Sequence, residues 1–281
     1  MLRFYKMHGA GNDFVIINDM LDELPREKLG ALAKHLCAQR TSIGADGMMV
    51  VVPPVNGGDF GMLFYNSDGS EGEMCGNGAR CICRYGFETG LAPETIQKVE
   101  TVSGMVIGER IDHRRYRIRL NDPSVIDLHR CVEVNGKPYD CAYIELGVPG
   151  LPHAVVQIEN LKAYNRDELR ELGRALRWAK EFPKGANVNF VEKVGENELD
   201  IITFERGVED FTLACGTGSG SAVTALTLLG LVSGNGTALH APGGELSVTV
   251  TTEEDGSAHD VYLTGPTNIV AIGEITDEDL R

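Results

Sequence analysis

Two cysteines in this sequence each head a Cys-Gly-X-Gly motif at the start of an apolar segment. The motifs are Cys75, Gly76, Asn77 and Gly78 in the first half, and Cys215, Gly216, Thr217 and Gly218 in the second. The apolar spacing that follows predicts a helix beginning at each motif. The first N–H groups of a helix have no intrahelical partner, and with the helix dipole they attract anions and favour a thiolate over a thiol.

Two such units would supply the parts of a site that moves a proton at a carbon beside a carboxylate. Glycine lets a ligand approach the backbone closely, and a thiolate can act as a base. One thiolate would take a proton from one face of the carbon, and the opposite thiol would return a proton to the other face. The backbone N–H groups that would hold the α-carboxylate as charge develops are those of Gly76, Asn77, Gly216, Thr217 and Gly218.

The same residues also fit other kinds of site. A free cysteine is commonly a small buried apolar residue, but the repetition of the motif in both halves argues against that interpretation. Cys75, Cys81 and Cys83 lack the paired Cys-x-x-Cys spacing of zinc sites. The second motif lacks the full dinucleotide-binding pattern. A thiol-based zinc or redox-sensing module without turnover, and a pyridoxal enzyme whose lysine has no reliable sequence signature, remain alternatives.

Composition limits the class of protein and its partners. The chain has 281 residues, enough for two medium-sized domains, and its 42% hydrophobic content is typical of soluble globular proteins. A formal net charge of −15 argues against nucleic-acid partners and anionic membrane surfaces. The seven cysteines form no disulfide framework, and no signal-like start or membrane-length apolar stretch occurs. The sequence therefore predicts a reduced, cytoplasmic protein.

The hydrophobic pattern predicts short strands and two kinds of helix. An amphipathic outer helix is expected over 25–40, and another over 165–180 with Asn165 as its N-cap and Glu168 completing a capping box. The helix after Cys215 is apolar on nearly every side, so it must be buried. Strands are predicted over 13–18, 48–52, 60–65, 98–108, 115–120, 141–146, 153–159, 186–194 and 199–205, with others from Leu246, Val261 and Asn268.

These elements follow a similar order in both halves: strands, outer helix, strands, cysteine helix, strands. The sequence therefore predicts a duplicated α+β architecture in which each half is a strongly curved, barrel-like mixed sheet around a central helix. The chain is expected to enter the second half near Asn121-Asp122-Pro123. This gives an N-terminal domain over 1–120 that carries Cys75, and a C-terminal domain over 121–265 that carries Cys215.

Six motifs occur in the order found in one known family. They are Met7-His8-Gly9-Ala10-Gly11-Asn12-Asp13-Phe14, Asn66-Ser67-Asp68-Gly69-Ser70-Glu71, Cys75-Gly76-Asn77-Gly78-Ala79-Arg80-Cys81, Pro152-His153, Glu205-Arg206-Gly207 and Ala214-Cys215-Gly216-Thr217-Gly218. In these motifs the chain resembles the diaminopimelate epimerase family, over nearly its whole length. The resemblance implies the two-domain fold just described, with the active site in the cleft between the domains and a C-terminal strand over 266–281 returning to the first domain.

The resemblance also implies the chemistry. The family consists of isomerases that invert an α-carbon without a cofactor or metal, converting LL- to meso-diaminopimelate in lysine and cell-wall biosynthesis. A racemase of another amino acid, such as histidine or glutamate, is the related alternative. The expected partners are a small amino-acid substrate and, in a homodimer, a second copy of the chain; neither nucleic acid nor membrane is expected.

The resemblance assigns roles to individual residues. Cys75 and Cys215 would be the catalytic thiols, with His153 serving Cys75 and Glu205 serving Cys215. The substrate-binding residues would be Asn12, Asn66, Gly76, Asn77, Asn187, Glu205, Arg206, Gly216, Thr217 and Gly218. The fork-shaped guanidinium of Arg206 suits a distal carboxylate.

Two positions depart from the family pattern. The chain has Gly47 where the family usually has a glutamine, and Leu151 where it usually has an asparagine before Pro-His. Both positions normally contact substrate. Gly47 is expected to leave a hole, and Leu151 cannot replace an amide hydrogen bond. There is also one additional residue between the Glu205 motif and Cys215. The motifs therefore predict the reaction more directly than the substrate.

Overall fold

A computed structural model describes residues 2–21, 23–72 and 75–276 of the chain. The α-helices are α1 (Arg26–Leu36), α2 (Gly76–Glu88), α3 (Arg166–Arg177) and α4 (Gly216–Leu228). The strands are β1 (Leu2–Gly9), β2 (Asn12–Asn18), β3 (Gly47–Val52), β4 (Phe60–Asn66), β5 (Ile96–Thr101), β6 (Gly104–Arg110), β7 (Arg115–Arg119), β8 (Pro123–Val134), β9 (Lys137–Leu146), β10 (Leu151–Gln157), β11 (Asn187–Gly195), β12 (Glu198–Glu205), β13 (Asp210–Thr212), β14 (Thr237–Ala241), β15 (Gly244–Thr252), β16 (Ala258–Pro266) and β17 (Asn268–Ile275). A 3-10 turn covers Leu161–Ala163.

The chain divides into two compact units. Unit 1 comprises the described residues up to Ile118 and those from Gly265 onward. Unit 2 runs from Arg119 to Thr264. Unit 1 contains Cys75 and unit 2 contains Cys215, so each unit carries one of the two Cys-Gly-X-Gly motifs.

The sheet of unit 1 alternates antiparallel pairs with two parallel pairs. β1 and β2 are antiparallel, and β2 and β3 are parallel across α1. β3 and β4 are antiparallel, and β4 and β5 are parallel across α2. β6 and β7 continue antiparallel from β5, and β17 adds to β1 at the other end. Each parallel pair requires a crossover connection, which a helix supplies.

Unit 2 repeats this topology. β9 and β10 are antiparallel, β10 and β11 are parallel across α3, and β11 and β12 are antiparallel. β12 and β14 are parallel across α4, and β15 and β16 continue antiparallel. β8 at the β9 edge and the short β13 beside β12 are additions. The predicted duplicated α+β arrangement is therefore confirmed.

The sheet of unit 1 is buried on both faces because a helix covers each side. Phe14 and Ile16 of β2 pack in one core cluster with Ile82 of α2. The alternate residues, Val15 and Ile17, pack in another cluster with α1. Successive side chains of a strand point to opposite faces, so burial on both faces explains the continuous apolar run of β2.

The helices of unit 2 match their sequence patterns. α4 is buried from Gly216 to Leu226 apart from Thr217, and it contacts β9, β10, β11 and β15, as its all-round apolar surface predicted. α3 lies outside and buries its leucine stripe against the sheet. The Asn165 side chain accepts hydrogen bonds from the N–H groups of Asp167 and Glu168, so the predicted N-cap is confirmed. No helix in the described part of the chain is long and apolar enough to cross a membrane.

Several predicted boundaries were wrong. The single strand predicted over 98–108 is a hairpin, because the chain turns after Thr101 and re-enters the sheet at Gly104, whose φ is 110°. Apolar residues on both sides of this turn continue the hydrophobic pattern of the strand, so the pattern did not indicate the turn. The outer helices end earlier than predicted, at Leu36 and Arg177. β1, β8, β13 and β14 were not predicted, because their polar and apolar residues alternate weakly or, in β13, the strand has only three residues.

Candidate active site

Cys75 is the N-cap residue of α2. Its backbone is extended, with φ −104° and ψ 150°, and the N–H of Gly78 donates a hydrogen bond to its Sγ at 3.3 Å. The sulfur lies 3.5 Å from Oδ1 of Asn12, to which a thiol can donate. The side chain is half-buried. A sulfur in this position replaces the oxygen of the usual N-cap residues. A thiolate accepts the hydrogen bond from the N–H better than a thiol does.

Cys215 has the matching position on α4. It is the N-cap residue, with φ −115° and ψ 114°, and the N–H of Gly218 donates to its Sγ at 3.3 Å. The hydroxyl of Thr217 lies 3.6 Å from the sulfur. Each unit thus presents a half-buried sulfur to the first turn of its buried helix, as the sequence predicted for both motifs.

The neighbouring cysteines differ from these two in their surroundings. Burial raises the pKa of both Cys81 and Cys83 to about 12. Burial likewise raises the pKa of Cys37 to about 11 and that of Cys141 to about 12. These four thiols are therefore protonated at neutral pH and are inert packing groups.

Arg80 places a fully buried positive charge one turn into α2. Its guanidinium donates to Oδ1 of Asn77 at 2.7 Å and to the carbonyl of Gly76 at 3.2 Å, and no carboxylate pairs with it among the described residues. Burial lowers the pKa of Arg80 to about 10, while the electrostatic interactions with Cys81 and Cys75 act in the opposite direction. By the same interaction, Arg80 favours the thiolate form of Cys75.

Arg80→Gln is therefore expected to make Cys75 less reactive at neutral pH. The pH midpoint for alkylation of Cys75 by iodoacetamide should rise by about one unit, which is the pKa shift that a nearby opposite charge causes. Peptide mass mapping over a pH series measures it. Arg80→Lys should preserve most of the effect. Arg84→Gln, one turn later, is the matched control, since Arg84 bonds to the Thr267 carbonyl instead. Equal midpoints in the Arg80→Gln and control variants would rule the effect out.

The predicted asparagines of unit 1 lie around Cys75 and its loop. Asn12 donates from Nδ2 to Oδ2 of Asp46 at 2.6 Å, which directs its Oδ1 towards Cys75. Asn66 donates to the hydroxyl of Ser70 at 3.0 Å, at the end of β4. Asn77 is buried in the first turn of α2 and accepts from Arg80. The structure thus brings Asn12 and Cys75 into contact, and it uses the Asn77 side chain to hold Arg80.

The predicted residues of unit 2 form a second group. Asn187 donates to the carbonyl of Pro152 at 3.1 Å and accepts from the N–H of Arg206 at 2.8 Å. Glu205 accepts from the hydroxyl of Thr212 at 2.9 Å. Asn187 therefore ties the strand that carries His153 to the turn that carries Arg206.

His153 is buried and neutral. Its side chain is 0% exposed, and burial, assisted by the positive charge of Arg206, lowers its pKa to about 3. Its Nδ1 lies 3.3 Å from Nδ2 of Asn189. A Cβ added to Gly218 would lie only 2.2 Å from Oδ1 of Asn189, so the same asparagine also packs against the first turn of α4. Asn189 thus links His153 to the Cys215 motif.

Comparisons with known proteins show the family of the chain. The profile of the family described as diaminopimelate epimerase matches residues 4–123 and 148–270. The chain belongs to the diaminopimelate epimerase family. A diaminopimelate epimerase from Aquifex aeolicus (strain VF5) is 37% identical over the full length of both chains. One from Methanocella arvoryzae is 35% identical and covers 98% of this chain and 96% of its own. As a member of this family, the chain is an isomerase of the racemase and epimerase class.

Solved structures share the fold at lower sequence identity. A phenazine biosynthesis protein of the PhzF family from Bacillus anthracis is 15% identical with a TM-score of 0.73, covering 98% of this chain and 99% of its own. A hydroxyproline epimerase from Agrobacterium vitis is 18% identical with a TM-score of 0.68, covering 99% and 94%. These structural likenesses confirm that the chain has the same fold as these proteins.

The structure corrects one expectation about the departures from the family pattern. Gly47 leaves no hole, because the ring of Phe64 fills the space beside it. A Cβ added to Gly47 would lie 2.4 Å from Cε2 of Phe64 and 2.8 Å from the carbonyl oxygen of Tyr65. Phe64 also packs edge-to-face against Phe14, with ring centroids 6.0 Å apart. A glutamine at position 47 is therefore incompatible with Phe64 as it is placed here.

Leu151 lies beside a polar network that the sequence did not indicate. It is opposite Leu146 in the β9–β10 pair, and the next pair joins Pro152 and Glu145. Glu145 is 6% exposed, accepts from the Tyr143 hydroxyl at 2.6 Å and pairs with Lys184 at 2.9 Å. Burial would raise the pKa of Glu145, but these hydrogen bonds and the Lys184 charge more than offset that effect and lower it. Glu145 is therefore ionised at neutral pH.

Sequence reasoning also missed Arg80, Asp46 and Asn189. Arg80 lies within the Cys75 motif, where a charged residue inside an otherwise small and apolar helix start was a usable signal of its role. Asp46 and Asn189 carried no such signal, because their importance depends on strand pairings between distant segments.

Proposed function

We propose that this protein epimerises diaminopimelate by direct proton transfer between the substrate α-carbon and two cysteines, Cys75 and Cys215, with no cofactor. The single observation that carries the proposal is the duplicated sulfur geometry. Each sulfur accepts an N–H hydrogen bond at 3.3 Å from the third residue after it, at the N-terminus of a buried helix. Two equivalent acid–base groups are what inversion of a carbon requires.

In the proposed reaction, the thiolate of one cysteine removes the α-proton and becomes a thiol. The electron pair of the broken C–H bond moves onto the adjacent carboxylate, where hydrogen-bond donors stabilise the growing charge. The thiol of the other cysteine then delivers its proton to the opposite face of the carbon and becomes a thiolate. The reverse reaction exchanges the two roles, so the enzyme needs one thiol and one thiolate at the start of each turnover.

The backbone N–H groups at the starts of α2 and α4 support carboxylate binding. The first turn of each helix contains a glycine pair. The N–H of the second glycine donates to the cysteine sulfur, and the N–H groups before it have no backbone acceptor within the helix. Gly76, Asn77, Gly216 and Gly218 are buried, which removes competing water. Anion binding by such dipoles is stronger in a site from which water is excluded. We therefore assign the α-carboxylate to the N–H groups at the two helix starts before Gly78 and Gly218, whose own N–H groups donate to the sulfurs.

Arg206 supports a substrate with a second charged end. Its backbone is held by Asn187, and one guanidinium nitrogen donates to the carbonyl of Lys184 at 3.3 Å. A guanidinium has five N–H donors, so most remain for a ligand. A distal carboxylate of the kind present in diaminopimelate would pair with it in fork geometry. We assign Asn12, Asn66 and Asn187 to substrate binding with Glu205 and Arg206.

The test is exchange of the α-hydrogen in heavy water. Reduced protein is incubated with LL- and meso-diaminopimelate, histidine and glutamate, and deuterium at the α-carbon is followed by mass spectrometry. Exchange is expected with diaminopimelate alone. The double variant Cys75→Ser, Cys215→Ser is the negative control. Exchange with histidine or glutamate instead would reject the substrate but keep the reaction. Absence of exchange with every amino acid would reject both.

We also propose that the protein acts as a homodimer in the reducing cytoplasm. None of the seven cysteines forms a disulfide, a state that a reducing compartment maintains. The dimer follows from the family resemblance, and sedimentation equilibrium of the full chain measures it directly: a monomer mass at micromolar concentration would contradict it.

A further inference from the structure

The environment of His153 determines which of its ring nitrogens carries a proton. The side chain is fully buried on β10, and burial keeps it neutral at ordinary pH, with a pKa of about 3. A neutral imidazole has one N–H and one acceptor nitrogen, and the hydrogen bond at one nitrogen fixes the state of the other. The partner at Nδ1 therefore decides the state of Nε2.

That partner is Asn189, and the orientation of its amide is defined. Nδ2 of Asn189 lies 3.2 Å from the carbonyl oxygen of Ala154, which can only accept. Oδ1 lies 3.0 Å from the hydroxyl of Thr203, which donates to it. A flipped amide would place two oxygens against each other at Ala154. The assignment from the hydrogen-bond network is thus unambiguous, and Nδ2 is the atom facing His153.

The remaining hydrogen of Nδ2 points at Nδ1 of His153, at 3.3 Å. Nδ1 must therefore accept, and the proton of the neutral ring must be on Nε2. Nε2 is buried and has no hydrogen-bond partner among the residues that the structure describes. A buried N–H without an acceptor costs about 1–3 kcal/mol, so Nε2 calls for an acceptor outside the described residues.

We propose that Asn189 is a positioning residue that holds His153 in the Nε2–H form, so that His153 serves the reaction as a hydrogen-bond donor to an anion. The anion is a catalytic thiolate or a substrate carboxylate. In this form Nε2 has no lone pair to take a proton from a thiol, so His153 does not generate a thiolate by acting as a base. The donor role rests on the proposed epimerase function, whereas the tautomer does not depend on it.

The packing of Asn189 couples this donor to the Cys215 motif. Its Oδ1 faces the position where a Cβ on Gly218 would lie, and the N–H of Gly218 donates to the Cys215 sulfur. One asparagine therefore sets the direction of the His153 donor and the position of the first turn of α4. A change in its side chain is expected to disturb the protonation of the ring and the helix start together.

The direct test is the tautomer of His153 in the protein labelled with ¹⁵N. Long-range ¹H–¹⁵N correlation spectra distinguish protonated from unprotonated ring nitrogens, and a His153→Gln variant identifies the resonances among the seven histidines. We expect a protonated Nε2 and an unprotonated Nδ1 that do not titrate between pH 5 and 8. A proton on Nδ1, or a ring that becomes charged within this range, would overturn the proposal. This measurement needs no substrate, so its outcome is independent of the proposed function.

Variants test the role of Asn189. Asn189→Asp presents an acceptor to Nδ1, so the proton should move to Nδ1 and kcat should fall on the order of 10²–10⁴-fold, as expected for a wrong tautomer. Thr203→Val is the matched control. It removes the hydroxyl on the other side of the same amide but keeps the Ala154 contact, so Nε2 should stay protonated.

Addition of diaminopimelate identifies the anion. A shift of the Nε2–H proton on binding assigns the acceptor to a substrate carboxylate. A shift already present in free protein, and lost in Cys75→Ser or Cys215→Ser, assigns it to that thiolate. A proton signal that responds to neither substrate nor cysteine substitution would contradict the donor role. If Asn189→Asp does not fold, Asn189→Leu serves as the second variant: a ring that keeps the Nε2–H form there would show that Asn189 does not set it.

Discussion

Replacing Cys75 or Cys215 by serine is expected to lower kcat for epimerisation by about 10²–10⁴-fold, the usual contribution of a general acid or base. Each sulfur is the N-cap of a buried helix and accepts an N–H bond from the third residue after it. A serine hydroxyl can keep that capping bond. It has no accessible anionic form at neutral pH, so the fold is retained while proton transfer is lost.

The effect of the two cysteine variants should be similar, because inversion needs both groups in either direction. The assay follows interconversion of LL- and meso-diaminopimelate by chiral chromatography, and thermal unfolding checks the fold. Cys131→Ser is the matched control, since Cys131 is free and exposed on β8. Activity within about two-fold of the parent in either active-site variant would contradict the two-base mechanism, as general-base losses are far larger.

Gly218→Ala is expected to reduce kcat by at least about 10²-fold and to lower the free energy of unfolding by about 1–3 kcal/mol, as overpacking does. The added Cβ would lie 2.2 Å from Oδ1 of Asn189. That oxygen cannot move aside without breaking its bond from Thr203 and displacing the Nδ2 contacts to Ala154 and His153. The strain therefore reaches both His153 and the helix start that holds the Cys215 sulfur.

Gly78→Ala is the matched comparison in the other motif. There the added Cβ would meet Cε of Met49 at 2.5 Å, the end of a flexible side chain that can rotate away. Its next contact, the Cys75 sulfur, is at 3.3 Å. We therefore expect a smaller loss of kcat and of unfolding free energy than for Gly218→Ala. Steady-state kinetics and urea unfolding of both variants decide the comparison, and equal losses would show that Asn189 is not the rigid neighbour.

The two motifs are equivalent in local geometry but differ in what lies behind them. Behind Cys75 is the buried charge of Arg80, bonded to Asn77 and the Gly76 carbonyl. Behind Cys215 is the neutral amide of Asn189 with His153. A permanent positive charge favours a resting thiolate, whereas the neutral Asn189 amide presents its oxygen, an acceptor, to the Cys215 motif. This asymmetry predicts that Cys75 is the more readily alkylated of the two in the resting enzyme, in the same mass-mapping measurement.

The sequence by itself determined the helix starts, the burial of α4 and the duplicated order of elements. These follow from local properties: an N-cap and its hydrogen bond involve residues three apart, and the apolar pattern of a helix is read within a few turns. The two sulfur positions were therefore predictable, because each depends on four consecutive residues. The hairpin at Thr101–Gly104 was missed because apolar residues on both sides hid its turn.

Only the tertiary structure decided how the side chains behind the motifs are arranged. Phe64 fills the space at Gly47 because β3 and β4 are neighbours, and Asn189 reaches His153 because β10 and β11 pair in parallel with His153 opposite Asn187. The burial of Arg80 likewise depends on the strands that enclose α2. The physical reason is that desolvation and amide orientation depend on residues that are neighbours in space but far apart in the chain. The spacing of these residues in the sequence does not indicate that they are in contact.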